Sequence, residues 1–253
     1  MVDKYKKSLV IIAGATGGVG RAAVDVLSGS TSVDIIGISR GEFEPPSSNY
    51  QHLIMNLTDP LASNELQKKI LCEGYDAVHW LHCVGSFKEY ASFSNTKTED
   101  ILDVFNGNVL PTIHALKFWL NCAVDLRAGN FVMYSAFSIP HSYPFMTSFN
   151  SGKAASEVLM TSLTNEVLLE DVTLNCLRVS TIDTPLEREL KKDGDIENWL
   201  NTKEAASAGL EVLLNRQKPR MRGGIIPIYK PSYSFHGESV ANRFGKNSSN
   251  FSN

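Results

Sequence analysis

The feature that most restricts what this chain can fold into is a glycine-rich turn set between a strand pattern and a helix pattern. Residues 9–13 read LVIIA, a short continuous apolar run of strand length. Ala13-Gly14-Ala15-Thr16-Gly17-Gly18-Val19-Gly20 follows directly, and then the helical pattern RAAVDVLSG. A strand that passes into a helix through such a turn is one half of a parallel βα unit. Gly14 permits the tight turn, Gly18 lets the backbone approach a pyrophosphate, and Gly20 lets the helix pack on the strand. The helix start adds free N–H groups and a partial positive charge. A dinucleotide cradle formed by Gly14, Thr16, Gly18, Val19 and Gly20 is therefore predicted.

The rest of the chain repeats the alternation. Apolar runs occur at residues 9–13, 33–38, 52–55, 78–83, 130–134, 172–177 and 225–228, separated by helical stretches at 18–28, 60–72, 99–121, 149–170 and 202–214. Seven strands alternating with helices predict a single α/β domain of the Rossmann type, with a doubly wound parallel sheet. This domain is expected to span residues 1–231, and the Ser- and Asn-rich residues 232–253 to form a flexible tail. A net charge of -3 carries no basic footprint for nucleic acid. The apolar run near the N-terminus is too short to span a bilayer and is followed by no signal cleavage site, so no membrane association is expected. Cys72, Cys83, Cys122 and Cys176 show neither CxxC nor Cys/His spacing. They read as buried thiols in a reducing, cytoplasmic setting, with no metal site.

The second strand ends at Ile38-Ser39-Arg40, about twenty residues past Gly20, where an NAD-binding chain usually places an acid for the ribose 2′-hydroxyl. No acid stands there. Arg40 can pair with a 2′-phosphate through its planar fork of donors, and Ser39 can add a hydroxyl bond. The cofactor expected is NADP(H) rather than NAD(H).

The spacing of Gly14, Gly18 and Gly20 with a downstream Lys153 resembles the short-chain dehydrogenase/reductase family over residues 8–230. Further segments match it in order. Asn56-Leu57-Thr58-Asp59 is similar to the family's adenine-holding Asp-x-Thr-Asp. His82-Cys83-Val84-Gly85 occupies the place of its Asn-Asn-Ala-Gly, keeping only the glycine. The resemblance makes Asn108 the family's helix asparagine, and Thr184 its contact to the nicotinamide carboxamide region. It implies cofactor contacts at Asn56, Leu57, Cys83, Val84, Gly85, Lys153 and Thr184.

The departures fall at the chemistry. The family's Tyr, four residues before the Lys, is Phe149 here, and its catalytic Ser is replaced by Ala136. Phe keeps the shape of Tyr without an oxygen that can exchange a proton. The family's Pro-Gly after the sixth strand is replaced by Val179-Ser180. The remaining candidates for catalysis are Asn108, Lys153, Ser138 and, in the loop expected over the nicotinamide, His141 beside Tyr143; His82 is a further candidate acid. Residues 187–195 read as a charged, mobile lid. The resemblance implies an oxidoreductase acting on a small-molecule carbonyl or enone. A cofactor-binding sensor or partner subunit without turnover, and a non-redox lyase or isomerase, remain open. A homodimer or homotetramer is expected, because helices 99–121 and 149–170 carry apolar positions beyond one sheet-facing stripe.

Overall fold

In the computed structural model, residues 7–44, 46–192, 194–218 and 220–233 are described. The first strand, β1 (Ser8–Ala13), is buried at every position, which is why it is apolar throughout rather than alternating. It sits mid-sheet between β2 (Val33–Ser39) and β4 (Ala77–His82). With β3 (Tyr50–Ile54), β5 (Gly129–Ala136), β6 (Val172–Val179) and β7 (Ile225–Ile228) they form a seven-stranded sheet in the order β3-β2-β1-β4-β5-β6-β7, each neighbouring pair parallel.

Strand order reverses between β1 and β4, and an open sheet of this kind splays apart at such a switch point, leaving a crevice at the carboxyl ends of the strands. Ala13 pairs with His82 in register, so the glycine turn after β1 and the Cys83 loop after β4 leave the sheet side by side. Cys83 N donates to Ala13 O at 2.9 Å, and Gly14 N to Ile38 O at 2.8 Å.

The two faces of β1 feed two cores. Val10 and Ile12 pack with Ala23, Val24 and Leu210 of α1 (Gly18–Leu27) and α6 (Thr202–Leu214). Leu9 and Ile11 pack with Trp80, Trp119 and Phe131, beneath α2 (Ala62–Lys69), α3 (Thr98–Leu126) and α4 (Thr147–Glu166). Each element predicted from sequence is present, with shifted ends. Asp59 Oδ1 accepts from Leu61 N and delays α2 beyond residue 60. α3 runs five residues past 121 to a left-handed C-cap at Arg127. α4 starts two residues before 149 and ends at Glu166 rather than 170. Arg222 takes over its free carbonyl end, donating to Thr164 O, Val167 O and Leu169 O.

A short helix, α5 (Pro185–Leu190), capped by Thr184, occupies the first part of the segment read as a lid. The described chain also runs two residues past 231, to Tyr233, which is buried. Of the expected tail, residues 234–253 lie outside the described residues. No helix among the described residues is long and apolar enough to cross a membrane.

Candidate active site

The crevice at the switch point opens into a cavity of about 600 Å³ that runs from the glycine turn to an aromatic wall. At one end lie Gly14, Gly17, Gly18, Val19 and Gly20. Gly14 has φ +84°, a left-handed conformation that side chains disfavour. A Cβ on Gly20 would stand 2.2 Å from Gly14 O, so only glycine lets α1 start this close to the turn. α1 begins with no side-chain cap and no acidic residue in its first turn, so nothing competes with an anion for its N–H groups. These residues fit a pyrophosphate. Thr16 is exposed beside the turn and does not line the cavity.

The adenosine edge predicted at β2 and β3 lies outside the cavity wall. Arg40 is exposed there, and no carboxylate among the described residues pairs with it. Ser39 is buried and its hydroxyl donates to Gly41 O at 2.8 Å, with His52 Nε2 3.1 Å away, so its proton is already committed. His52 Nδ1 in turn meets Tyr50 OH at 2.7 Å, and Arg21 lies 4.5 Å over the Phe43 ring. Sequence reasoning missed this cluster, because it is assembled from α1, the loop after β2 and β3. Asn56 is exposed, with its acceptor oxygen receiving both Thr58 N and Thr58 Oγ1. Leu57 is buried and its carbonyl accepts from His114 Nδ1 at 2.8 Å.

Lys153 is the chemical centre of the opposite half. It is 7% exposed, and its Nζ donates to Tyr134 O at 3.0 Å and Val84 O at 3.3 Å. Burial pulls its pKa from 10.5 down to about 8. Gly85 leaves space for the ammonium where it stands, since a Cβ there would meet Lys153 Nζ at 2.8 Å and Asn108 Oδ1 at 3.0 Å. Asn108 itself does not line the cavity. Its Oδ1 accepts from Ser86 N, and its Nδ2 donates to Ser86 O at 2.7 Å and Val104 O at 2.8 Å, so it clamps the loop after β4 onto α3.

Cys83 lines the cavity, and burial pushes its thiol up to about 12, which keeps it protonated at neutral pH. His82 is fully buried and lies off the cavity wall. Burial first, and the Lys153 charge second, hold its pKa near 3. Its Nδ1 accepts from Trp80 Nε1, so it is a neutral core residue with no proton to deliver to the cavity.

Phe149, one turn before Lys153 on α4, puts its ring into the cavity wall, edge-on to Phe87 at 5.3 Å. Ala136, Phe137, Ser138 and Tyr143 line the same region. Ser138 Oγ donates to Asn150 Oδ1 at 2.6 Å. His141 is exposed and does not line the cavity; its ring tilts against Phe137 at 5.2 Å and Tyr143 at 5.9 Å. This loop holds Ser142 and Phe145 at positive φ, a strained backbone of the kind that collects at ligand sites.

Thr184 lines the cavity while its hydroxyl caps Glu187 N. From the segment read as a lid, Glu187, Glu189, Leu190, Lys191 and Lys192 line the cavity, whereas Asp193 lies outside the described residues. Lys191 Nζ donates to Thr181 Oγ1 at 2.7 Å and pairs with Glu187, tying α5 to the end of β6.

Sequence reasoning admits Ser135 only as a residue that a shift of the loop could bring into the place of Ala136, and it passes over Ser180 as a site residue. Both are buried, both line the cavity, and neither hydroxyl has a hydrogen-bond partner among the described residues. A buried hydroxyl without a partner costs about 1–3 kcal/mol. The available signal was their place at the carboxyl ends of the fifth and sixth strands, where doubly wound sheets bind ligands. No cluster of three or more His, Cys, Asp or Glu that could hold a metal occurs among the described residues.

The model of the short chain dehydrogenase family matches residues 8–195. Among solved structures, the fold superposes on ElxO with NADP bound, with a TM-score of 0.76 at 19% identity over 88% of this chain and 97% of that one. A tyrosine-to-phenylalanine variant of ElxO with NADPH bound gives 0.75 at 20% identity, covering 88% and 96%. The ligand-free aldohexose dehydrogenase AldT of Thermoplasma acidophilum gives 0.75 at 18% identity, covering 91% and 98%. At these identities the likeness is one of fold. Comparison with curated proteins yields no match.

Proposed function

The chain belongs to the short-chain dehydrogenase family, and from that premise we propose that it is an NADP(H)-dependent oxidoreductase with a non-standard active site, reducing a carbonyl or a conjugated enone. The observation that carries this reading is the single cavity that joins the Gly14–Gly20 turn to Lys153 and to an apolar wall. A nicotinamide dinucleotide bound along it supplies a hydride at the Lys153 end. Gly14, Gly18 and the first turn of α1 hold its pyrophosphate, Arg40 takes the 2′-phosphate, and the Lys153 ammonium orients ribose hydroxyls. ElxO binds NADP and its tyrosine-to-phenylalanine variant binds NADPH, which supports the choice of cofactor.

In this reading Phe149 and Ala136 stand where the family's Tyr and Ser stand. Neither can move a proton. Phe149, Phe87 and Phe137 exclude water and favour a flat apolar substrate. Hydride delivery to a conjugated alkene needs less from an acid beside the carbonyl oxygen, so an enone suits the site better than a simple ketone. The test is NADPH oxidation, followed by absorbance, with a panel of enones and ketones. Turnover of an enone is the expected result.

Tight binding of NADPH without turnover of any member would favour a second reading, a cofactor-binding sensor or partner subunit. Two positions without ionisable oxygens, Phe149 and Ala136, support that alternative. The same proposal includes a homodimer or homotetramer, since Leu102 on α3 and Val158 on α4 are exposed apolar residues. It also includes a cytoplasmic setting, in keeping with four free thiols.

A further inference from the structure

Ser135 Oγ and Ser180 Oγ are buried hydroxyls of cavity-lining residues with no partner among the described residues, although the residues are only 3% and 5% exposed. Two nearby serine hydroxyls are satisfied. Ser138 donates to Asn150, and Ser156 to Gly152 O and Asn108 O.

Register puts the two orphans on one face. Ser135 on β5 lies opposite Arg178 on β6. The ladder continues past β6, with Phe137 N donating to Val179 O and Ser180 N to Ile228 O, so Ser180 still follows strand alternation, two positions beyond Arg178. Arg178 turns toward α4, where it forms a bidentate pair with Glu157. Ser135 and Ser180 therefore face α4 as well. Lys153 comes from that helix to bond Tyr134 O, the carbonyl next to Ser135.

We propose that Ser135 and Ser180 form an oxygen-binding subsite, in which two neutral O–H donors receive an sp² oxygen of the bound molecule. A native chain rarely leaves two buried donors on one face of a sheet end unpaired, and a ligand in the cavity would be the partner they lack. Neutral donors suit a neutral acceptor, and two groups offer that oxygen here: the carboxamide of a nicotinamide, or the carbonyl of a substrate. A serine hydroxyl positions and polarises this oxygen without transferring its proton, so the subsite takes over orientation from the missing Tyr and Ser and leaves the proton to another source. This inference rests on the dinucleotide and carbonyl reading of the cavity.

The test uses Ser135→Ala, Ser180→Ala and the double variant. Thermal unfolding, calorimetric titration with NADPH, and titration of an uncharged aryl enone into NADP-loaded protein are measured for each. The expected result is unfolding temperatures equal to or above wild type, because an unpaired buried donor has been removed, with about a three- to tenfold loss of affinity per hydroxyl for one titrant. Loss for NADPH identifies the carboxamide as the acceptor; loss for the enone with NADPH unchanged identifies the substrate carbonyl. Wild-type protein that binds NADPH, with variants whose affinities both stay within about twofold, overturns the subsite alone. Lower unfolding temperatures in the variants overturn it too, since the hydroxyls would then serve the fold. Wild-type protein that binds neither titrant overturns the cofactor reading together with the subsite.

Discussion

Replacing Lys153 by Met tests the central half of the site through stability alone. Met fills a similar volume without charge. Burial lowers the Lys153 pKa from 10.5 in the unfolded chain to about 8 in the folded one. The unfolded state therefore binds more protons between those values, and the lysine's contribution to stability rises with pH across that window. It is fully present above 10.5 and lost as pH falls through 8. The difference amounts to about 3 kcal/mol at about 1.4 kcal/mol per pH unit, of which roughly 2–3 kcal/mol falls between pH 7 and pH 10. The variant carries no such term. The variant also loses the two hydrogen bonds to Tyr134 O and Val84 O, worth about 1 kcal/mol each. Urea unfolding of both proteins at pH 7, 8, 9 and 10 isolates the term, because every other titrating group cancels in the difference. Lys153→Met is expected to lose roughly 2–3 kcal/mol of stability relative to wild type on going from pH 7 to pH 10. A stability difference that stays flat with pH would refute the claim that the ammonium is desolvated. A calorimetric titration should also show the variant losing NADPH affinity, and unchanged affinity would remove Lys153 from the cofactor site.

Gly18→Asp should lower dinucleotide affinity by about two orders of magnitude, since its carboxylate faces the pyrophosphate position and its Cβ would meet Thr202 Cγ2 at 2.9 Å; calorimetry that shows retained binding contradicts the cradle. NADPH should bind more tightly than NADH, and Arg40→Ala should weaken NADPH about tenfold while leaving NADH unchanged; equal affinities in the wild type would sink the 2′-phosphate assignment. Light scattering at micromolar concentration should give the mass of a dimer or tetramer, and a monomer mass refutes association through α3 and α4. Phe149→Tyr with Ala136→Ser should create or raise ketone reduction, because Lys153 already lies one turn from position 149; no gain with NADPH binding intact would mean a remodelled pocket. If native turnover instead survives that double change and His141→Ala removes it, the exposed imidazole acts through a closed form of its loop.

The fold was legible because its signals are local. A fully buried central strand must be apolar at each position, as β1 is, and a turn that admits α1 within contact distance of Gly14 O must place glycine at 20. Neither requirement depends on distant partners. Helix ends were less legible, since α4 stops at Glu166 only because Arg222, 56 residues later, satisfies its carbonyls.

The site was legible in its backbone features and opaque in its side chains, because the role of a hydroxyl depends on its partner, and partners are set by tertiary packing. Ser138 and Ser135 are three residues apart in one segment, yet Asn150 satisfies the first and nothing among the described residues satisfies the second. Asn108 shows the same limit from the other side. Its residue type and place on a helix match the family pattern, but its amide is spent on Ser86 and Val104, where it shapes the loop that carries Gly85. That loop in turn leaves room for the Lys153 ammonium where it now lies because residue 85 has no side chain. Asn108 thus reaches the chemistry by positioning Lys153 through Gly85. Replacing it with Asp would put a carboxylate about where Oδ1 now approaches Gly85, close to the buried ammonium, and raise the Lys153 pKa toward its ordinary value. Asn108→Asp should therefore flatten the pH dependence of stability that Lys153 imparts, while Asn108→Ala should loosen the loop and leave that dependence in place. Equal pH profiles in the two variants would separate Asn108 from the lysine and leave it a clamp alone.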